Sequence, residues 1–68
     1  MAYMIRLGTG SEALFFAKSG GFASMHVYPR SFFKEFNSYT MAQEFVIKKV
    51  IFTLDQSERK DLKIAEIA

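Results

Sequence analysis

The stretch SYTMAQEFVIKKVIFTL, residues 38–54, decides the fold because it is the longest segment whose pattern predicts a single element. Ser38 or Thr40 can accept hydrogen bonds from the first free amides of a helix, and Gln43 lies three residues after Thr40, as in a capping box. The alternative is a strand over residues 46–54, where β-branched side chains are frequent. The capping pattern favours a helix over the whole stretch.

The predicted helix has apolar residues on two sides. One side is expected to pack on the sheet of the domain, and its residues are Met41, Phe45 and Phe52. The other side lies roughly opposite, and its residues are Ile47, Val50, Ile51 and Leu54. A helix that is apolar on two faces needs a partner on each of them. We therefore expect a second copy of the chain, or a different protein, to cover the second face.

The rest of the chain predicts an antiparallel sheet. Alternating or apolar patterns indicate strands at residues 2–7, 14–18, 22–28 and 62–67. Glycine-containing segments at residues 8–11 and 19–21 are typical of hairpin turns, and Pro29 ends the third strand. For the last segment, a short helix beginning at Ser57 is the alternative.

Two connections complete the predicted fold. Residues 30–37 place three phenylalanines at one-turn spacing and predict a short helical turn, whereas the polar residues 55–61 predict a loop. The chain is therefore expected to be an α+β protein with a small antiparallel sheet of three to four strands. One main helix packs on one face of that sheet. Residues 1–68 are expected to form a single domain.

The composition indicates how such a domain is stabilised. The chain has 68 residues, no cysteine and one histidine, so disulfides and a multi-histidine metal site are excluded. Half of the residues are hydrophobic and 16% are aromatic. Stability must come from apolar packing or from self-association, and some aromatic side chains are expected to reach the surface.

Catalytic and metal-binding patterns are weak. His26 is the single imidazole, and no cysteine offers a nucleophile, so the sequence favours a protein that is not an enzyme. Asp55, Glu58 and Asp61 have helical spacing, but basic residues lie between them, which is typical of a solvated face. We therefore expect no metal and no cofactor.

The charge distribution gives an alternative function. Nine basic and seven acidic residues leave a net charge of +2, and the basic residues are scattered. A small nucleic-acid-binding surface would combine aromatics with basic residues, namely Arg6, Lys18, Arg30 and Lys34.

Membrane and export signals are not evident. Lys48 and Lys49 interrupt the longest apolar region, and residues 1–7 lack the pattern of a signal peptide. The expected location is the cytoplasm.

From Phe36 onward, the stretches FNSYTMAQEFV and KIAEI resemble short uncharacterised proteins of bacterial phages and prophages. In that pattern a hairpin is followed by a phenylalanine, a serine cap, an alanine-bearing helix and a closing strand with an acidic-isoleucine pair. The matching residues here are Phe36, Ser38, Ala42, Phe45, Ile64, Glu66 and Ile67. The resemblance implies a protein that acts by binding and blocking a host enzyme or defence protein.

The combined expectation is a small non-enzymatic module that binds a protein partner and forms a homodimer. Its predicted binding residues are apolar side chains of the second helix face together with two phenylalanines: Phe32, Phe33, Ile47, Val50, Ile51 and Leu54. Nucleic-acid binding is the alternative function.

Overall fold

A computed structural model describes residues 2–67. Four strands form one antiparallel sheet: β1 (Ala2–Leu7), β2 (Leu14–Phe16), β3 (Phe22–Ser24) and β4 (Leu62–Ile67). Their order across the sheet is β3-β2-β1-β4. One main helix over residues 39–53 packs on this sheet. The predicted α+β fold is therefore confirmed, and the sheet has four strands.

The third strand is shorter than predicted. The sequence indicated residues 22–28, but β3 ends at Ser24. The Ser24 hydroxyl accepts a hydrogen bond from the His26 amide (3.1 Å), and the Ser24 carbonyl accepts from the amides of Val27 and Tyr28 (both 3.2 Å). These local bonds turn the chain before Pro29, because a serine side chain can compete with a sheet partner for nearby amides.

The glycine-rich connection between β2 and β3 is a hairpin turn, as predicted. Gly20 and Gly21 have φ values of 95° and 80°, which side-chain-bearing residues rarely adopt. The Ala17 amide donates to the Gly21 carbonyl (2.9 Å), and the Gly20 amide donates to the Ala17 carbonyl (3.0 Å). This tight turn holds β3 against β2.

The main helix begins at Ser38. The Ser38 hydroxyl accepts a hydrogen bond from the Met41 amide (3.2 Å), so Ser38 is the N-cap and the capping box expected at Thr40 is wrong. The helix is α-helical over α1 (Tyr39–Phe45), forms a π-helical turn at Val46–Val50 and ends as a 3₁₀ turn at Ile51–Thr53. The predicted helix thus extends through the β-branched segment, and the strand alternative is wrong.

The predicted division of this helix into two faces is wrong. Met41 and Phe52 were expected to cover the sheet, yet they are 52% and 76% exposed. Val50 and Leu54 were expected on the outer face, yet both are buried in the core. For the residues that follow Phe45 the reason is the π turn, whose i→i+5 hydrogen bonds hold more residues per turn than an α-helix and rotate later side chains away from their positions on a regular wheel. Met41 precedes this turn, and the turn does not explain its exposure. Of the three residues expected to cover the sheet, Phe45 is the one that packs on it, with its ring centroid 5.5 Å from that of Phe16.

The core lies between the main helix and the sheet. Its buried side chains come from strands, helix and connections, and they are Ile5, Phe16, Phe36, Ala42, Val50 and Leu54. Because side chains alternate along a strand, Ile5 of β1 faces this core while Met4 faces the opposite side. Met4 is nevertheless fully buried. The opposite side of the sheet therefore has its own cover.

Residues 33–36 contribute the buried Phe33 to that side and also join β1 to β2. Tyr3 and Phe36 exchange two backbone hydrogen bonds (2.9 and 2.8 Å), and the Lys34 amide donates to the Phe16 carbonyl (3.0 Å). Phe33 is 0% exposed, and its ring contacts that of Phe15 at a centroid distance of 6.2 Å. Phe33 was predicted to bind a partner, but this position makes it a core residue.

The three remaining connections contain short helices, and the one between β1 and β2 has a 3₁₀ turn at Gly10–Glu12. The predicted helical turn over residues 30–37 is a 3₁₀ turn limited to Arg30–Phe32. Residues 55–61, expected to be a loop, contain α2 (Gln56–Arg59), which begins with a capping box formed by Asp55 and Glu58. The strand prediction for residues 62–67 is confirmed by β4, because the short helix ends before the strand begins.

We predict that Phe33→Ala destabilises the fold by about 3–5 kcal/mol, the usual cost of truncating a buried phenylalanine. Phe52→Ala removes the same atoms from a side chain that is 76% exposed and serves as the control. Urea unfolding should show a large loss of stability for the first variant and almost none for the second. Equal losses would contradict the burial of Phe33.

We also predict that Ser38→Ala destabilises the main helix by about 1 kcal/mol, because the Met41 amide loses its hydrogen-bond acceptor. Thr40→Ala is the matched control, since Thr40 is exposed and lies inside the first helical turn. Thermal unfolding of both variants tests the assignment. A larger effect at Thr40 would restore the capping box expected there.

Candidate protein interface

The structure separates the six predicted binding residues. Phe33, Val50 and Leu54 are buried in the cores on the two sides of the sheet, so they cannot contact a partner without unfolding. Ile47 is 58% exposed and Ile51 is partly exposed. These two residues line one groove, whereas the partly exposed Phe32 lies elsewhere, with its ring stacked on Tyr28 at 4.1 Å.

The groove lies between the main helix and β4 and encloses about 320 Å³. We call it the edge groove and define it by its apolar lining residues: Tyr39, Val46, Ile47, Ile51, Leu62 and Ile64. Tyr39 and Ile47 are each more than half exposed. An apolar patch of this kind on a small protein is typical of an interface.

The edge groove runs beside a sheet edge with free backbone groups. β4 pairs with β1 in a continuous register from Ala2–Ile67 to Leu7–Leu62, and no strand formed by residues 2–67 lies on its other side. The Gly8 amide donates to the Asp61 carbonyl (3.0 Å), in line with the same register. Because bonded and non-bonded pairs alternate in an antiparallel ladder, Lys63 and Ala65 also point their backbone groups at β1.

Consequently, the backbone groups that point away from β1 are those of Leu62, Ile64 and Glu66. The side chains of these residues lie on the helix side of the sheet, because Leu62 and Ile64 pack against the core. The opposite sheet edge, β3, is only three residues long. A six-residue unpaired edge such as β4 can accept another strand, whereas a very short edge is protected against it.

Arg59 positions the short helix α2 at one end of the edge groove. Its Nε donates to the carbonyls of Ile51 (2.9 Å) and Leu54 (3.1 Å), which satisfies acceptors left free where the main helix ends. The guanidinium therefore gives this end of the groove a positive charge. Lys63 also lines the groove, and Glu66 is the one acidic residue of β4.

A second surface groove, of about 390 Å³, lies on the other side of the main helix. Its floor is formed by Phe36 and Phe45, and Met41, Glu44 and Lys48 contribute to its walls. The Lys34 ammonium lies 5.4 and 5.3 Å from the centroids of the two phenylalanine rings. The second groove is the larger of the two, and this cation–π contact places a positive charge over part of its apolar floor.

The four basic residues of the alternative function have different surroundings. Arg6 lies in β1, where its Nε is buried without a hydrogen-bond partner among the described residues. Arg30 forms an ion pair with Glu35, with its Nε 2.9 Å from the Glu35 Oε2. The hydrogen bond from Arg30 holds the pKa of the Glu35 carboxyl below its ordinary value, and the positive charge of Lys18 adds to this effect. The charges of Lys18 and Arg30 thus both act on the same acidic residue.

The remaining polar candidates have structural roles. His26 lies in the exposed turn after β3, and its Nε2 is 3.2 Å from the Ser11 carbonyl oxygen. Asp55 and Glu58 cap α2, and the hydrogen bond between their two carboxyl side chains raises the pKa of Glu58. Within residues 2–67, no group of three or more histidine, cysteine or acidic side chains is placed to hold a metal ion.

Comparison with protein-family models, with curated proteins and with solved structures gives no match to this chain. Among the helices formed by the described residues, none has the length and apolar character needed to cross a membrane.

Proposed function

We propose that the chain is a non-enzymatic, cytoplasmic protein-binding module and that the edge groove is its binding site. The observation that carries the proposal is the position of Ile47, 58% exposed, beside the unpaired edge of β4. One surface therefore offers apolar side chains and free backbone amides together. Both are needed to bind an extended segment of another protein.

The apolar part of this surface supports binding energetically. Burial of apolar surface contributes roughly 25 cal/mol per Å², so covering the exposed parts of Tyr39 and Ile47 would stabilise a complex. The backbone part supports specificity, because an added strand must align its own amides and carbonyls with those of Ile64 and Glu66. A side-chain patch without a free strand edge would lack this second contribution.

The resemblance of residues 36–67 to small phage and prophage proteins supports a particular form of this activity, in which the bound protein is blocked. A module without an active site can inhibit a target by occupying its surface in equal amounts.

Nucleic-acid binding has less support. Arg30 is engaged with Glu35, and Lys34 lies over two phenylalanine rings, so both basic side chains already have a partner in the chain itself. An aromatic feature near these residues in the sequence is the stacked pair of the exposed Tyr28 and the partly exposed Phe32. Its two rings already cover each other on one face, which leaves less area for base stacking.

The first test is affinity capture with the tagged chain from a lysate of the cells that encode it. We expect the wild-type chain to retain one protein in stoichiometric amount, either a second copy or another protein. Ile47→Glu should abolish retention, because a carboxylate in the edge groove must be desolvated by the partner. Met41→Glu is the matched control: Met41 lies on the same helix with similar exposure, but it lines the other groove.

If the Ile47→Glu variant still captures the protein that the wild-type chain retains, the binding site lies elsewhere. Failure of the wild-type chain to retain any protein would refute protein binding itself. Circular dichroism of both variants checks that the fold is retained. We expect it to be, since the two substituted side chains are exposed.

The second test is a gel-shift titration of single-stranded DNA and RNA at two salt concentrations. Binding to phosphates releases counterions and weakens steeply as salt rises. We expect no retention of either nucleic acid at micromolar protein. Salt-sensitive retention that is lost in Lys18→Ala or Arg30→Ala would instead establish the nucleic-acid function.

A further inference from the structure

We propose that the edge groove is occupied by β4 of a second copy of this chain, so that two sheets join into one eight-stranded sheet across a twofold axis. The inference rests on the proposed function, because it names the partner of the same site. The argument depends on which backbone groups of β4 are free, and on which registers allow two identical edges to meet.

The free backbone groups restrict the possible registers. In an antiparallel pair, residues directly opposite each other either both direct their backbone groups at the partner or both direct them away. Leu62, Ile64 and Glu66 direct theirs outward, and the residues between them direct theirs at β1. A full-length overlap of the two strands would place Leu62 opposite Ile67 of the second copy. The backbone groups of Leu62 point outward, whereas those of Ile67 point at β1. That register forms no ladder.

A twofold axis at Ile64 satisfies the restriction. Ile64 then lies opposite Ile64 of the second copy, and Leu62 lies opposite Glu66 of the second copy, so every outward-facing residue of β4 exchanges hydrogen bonds with another. An axis at Ala65 pairs Ile64 with Glu66 but leaves Leu62 without an outward-facing partner inside the strand. The axis at Ile64 is therefore the register that uses the whole edge.

This register also determines where the helices lie. Opposite residues in a ladder project their side chains to the same side of the sheet, so the helix side of one copy continues into the helix side of the other. The two main helices then stand on one side of the joined sheet, with their edge grooves facing across the axis. Ile64 of each copy lies at the axis, and the exposed Ile47 and Tyr39 on each side face the incoming strand.

The charges agree with the same register. Opposite Leu62 lies Glu66 of the second copy, and its side chain is on the helix side of the joined sheet. Leu62 and Arg59 line the same groove, so the acidic residue of one copy comes to the basic end of the groove in the other. The symmetry repeats this contact at both ends of the interface. A second copy thus supplies strand, apolar side chain and compensating charge together.

Light scattering after size exclusion, combined with amide hydrogen exchange, tests the inference on the unmodified chain. We expect a mass of about twice 7.8 kDa at high micromolar concentration. We also expect the amides of Leu62, Ile64 and Glu66 to be protected in the dimer and to exchange rapidly on dilution to monomer. The amides of Lys63 and Ala65 are the internal control, because β1 protects them in both states.

Ile47→Glu and Met41→Glu complete the test. The first substitution places two carboxylates near the axis and should reduce the mass to that of the monomer, whereas the second should leave the dimer intact. A wild-type monomer at high micromolar concentration overturns the dimer. If that monomer still captures another protein through Ile47, the proposed function survives. A dimer with unprotected Ile64 amides overturns the β4 interface.

Discussion

The backbone hydrogen bonds of residues 33–36 are the constraint on which the rest of the structure depends. β1 and β2 pair directly only at Arg6–Phe15 and Leu7–Leu14, and beyond that point the segment bonds to Tyr3 on one side and to Phe16 on the other. It also places one aromatic ring on each side of the sheet: Phe36 in the core under the helix, and Phe33 in the opposite core. Since Ser38 follows immediately, the same bonds determine where the main helix begins.

Local sequence signals predicted where the main elements lie, but not which of their faces are buried. Short stretches of sequence are enough to predict several elements. These are the helix start at Ser38, the glycine turn at Gly20–Gly21 and the strands at residues 2–7 and 62–67. The buried face of the second half of the main helix cannot be predicted in this way, because a π turn at Val46–Val50 rotates that half away from regular periodicity. The burial of Phe33 depends equally on a non-local event, the insertion of its segment between β1 and β2.

The candidate site was predictable only in part for the same reason. Ile47 and Ile51 were recognised from their positions on the helix, and both line the edge groove. Tyr39 and the unpaired edge of β4 were not recognised, because the strand order β3-β2-β1-β4 is a property of the whole sheet. An amphipathic pattern in residues 62–67 predicts a strand, but it does not reveal whether that strand has one neighbour or two.

Occupation of the β4 edge is coupled to the stability of the fold itself. The cysteine-free chain has a small core, and β4 is held by pairing with β1 along one edge and by the side chains of Leu62 and Ile64. A partner that binds only the folded chain at this edge stabilises it by mass action. The groups that form the proposed binding site are therefore also those whose exposure limits the stability of the isolated domain, because the apolar side chains there are left in contact with water.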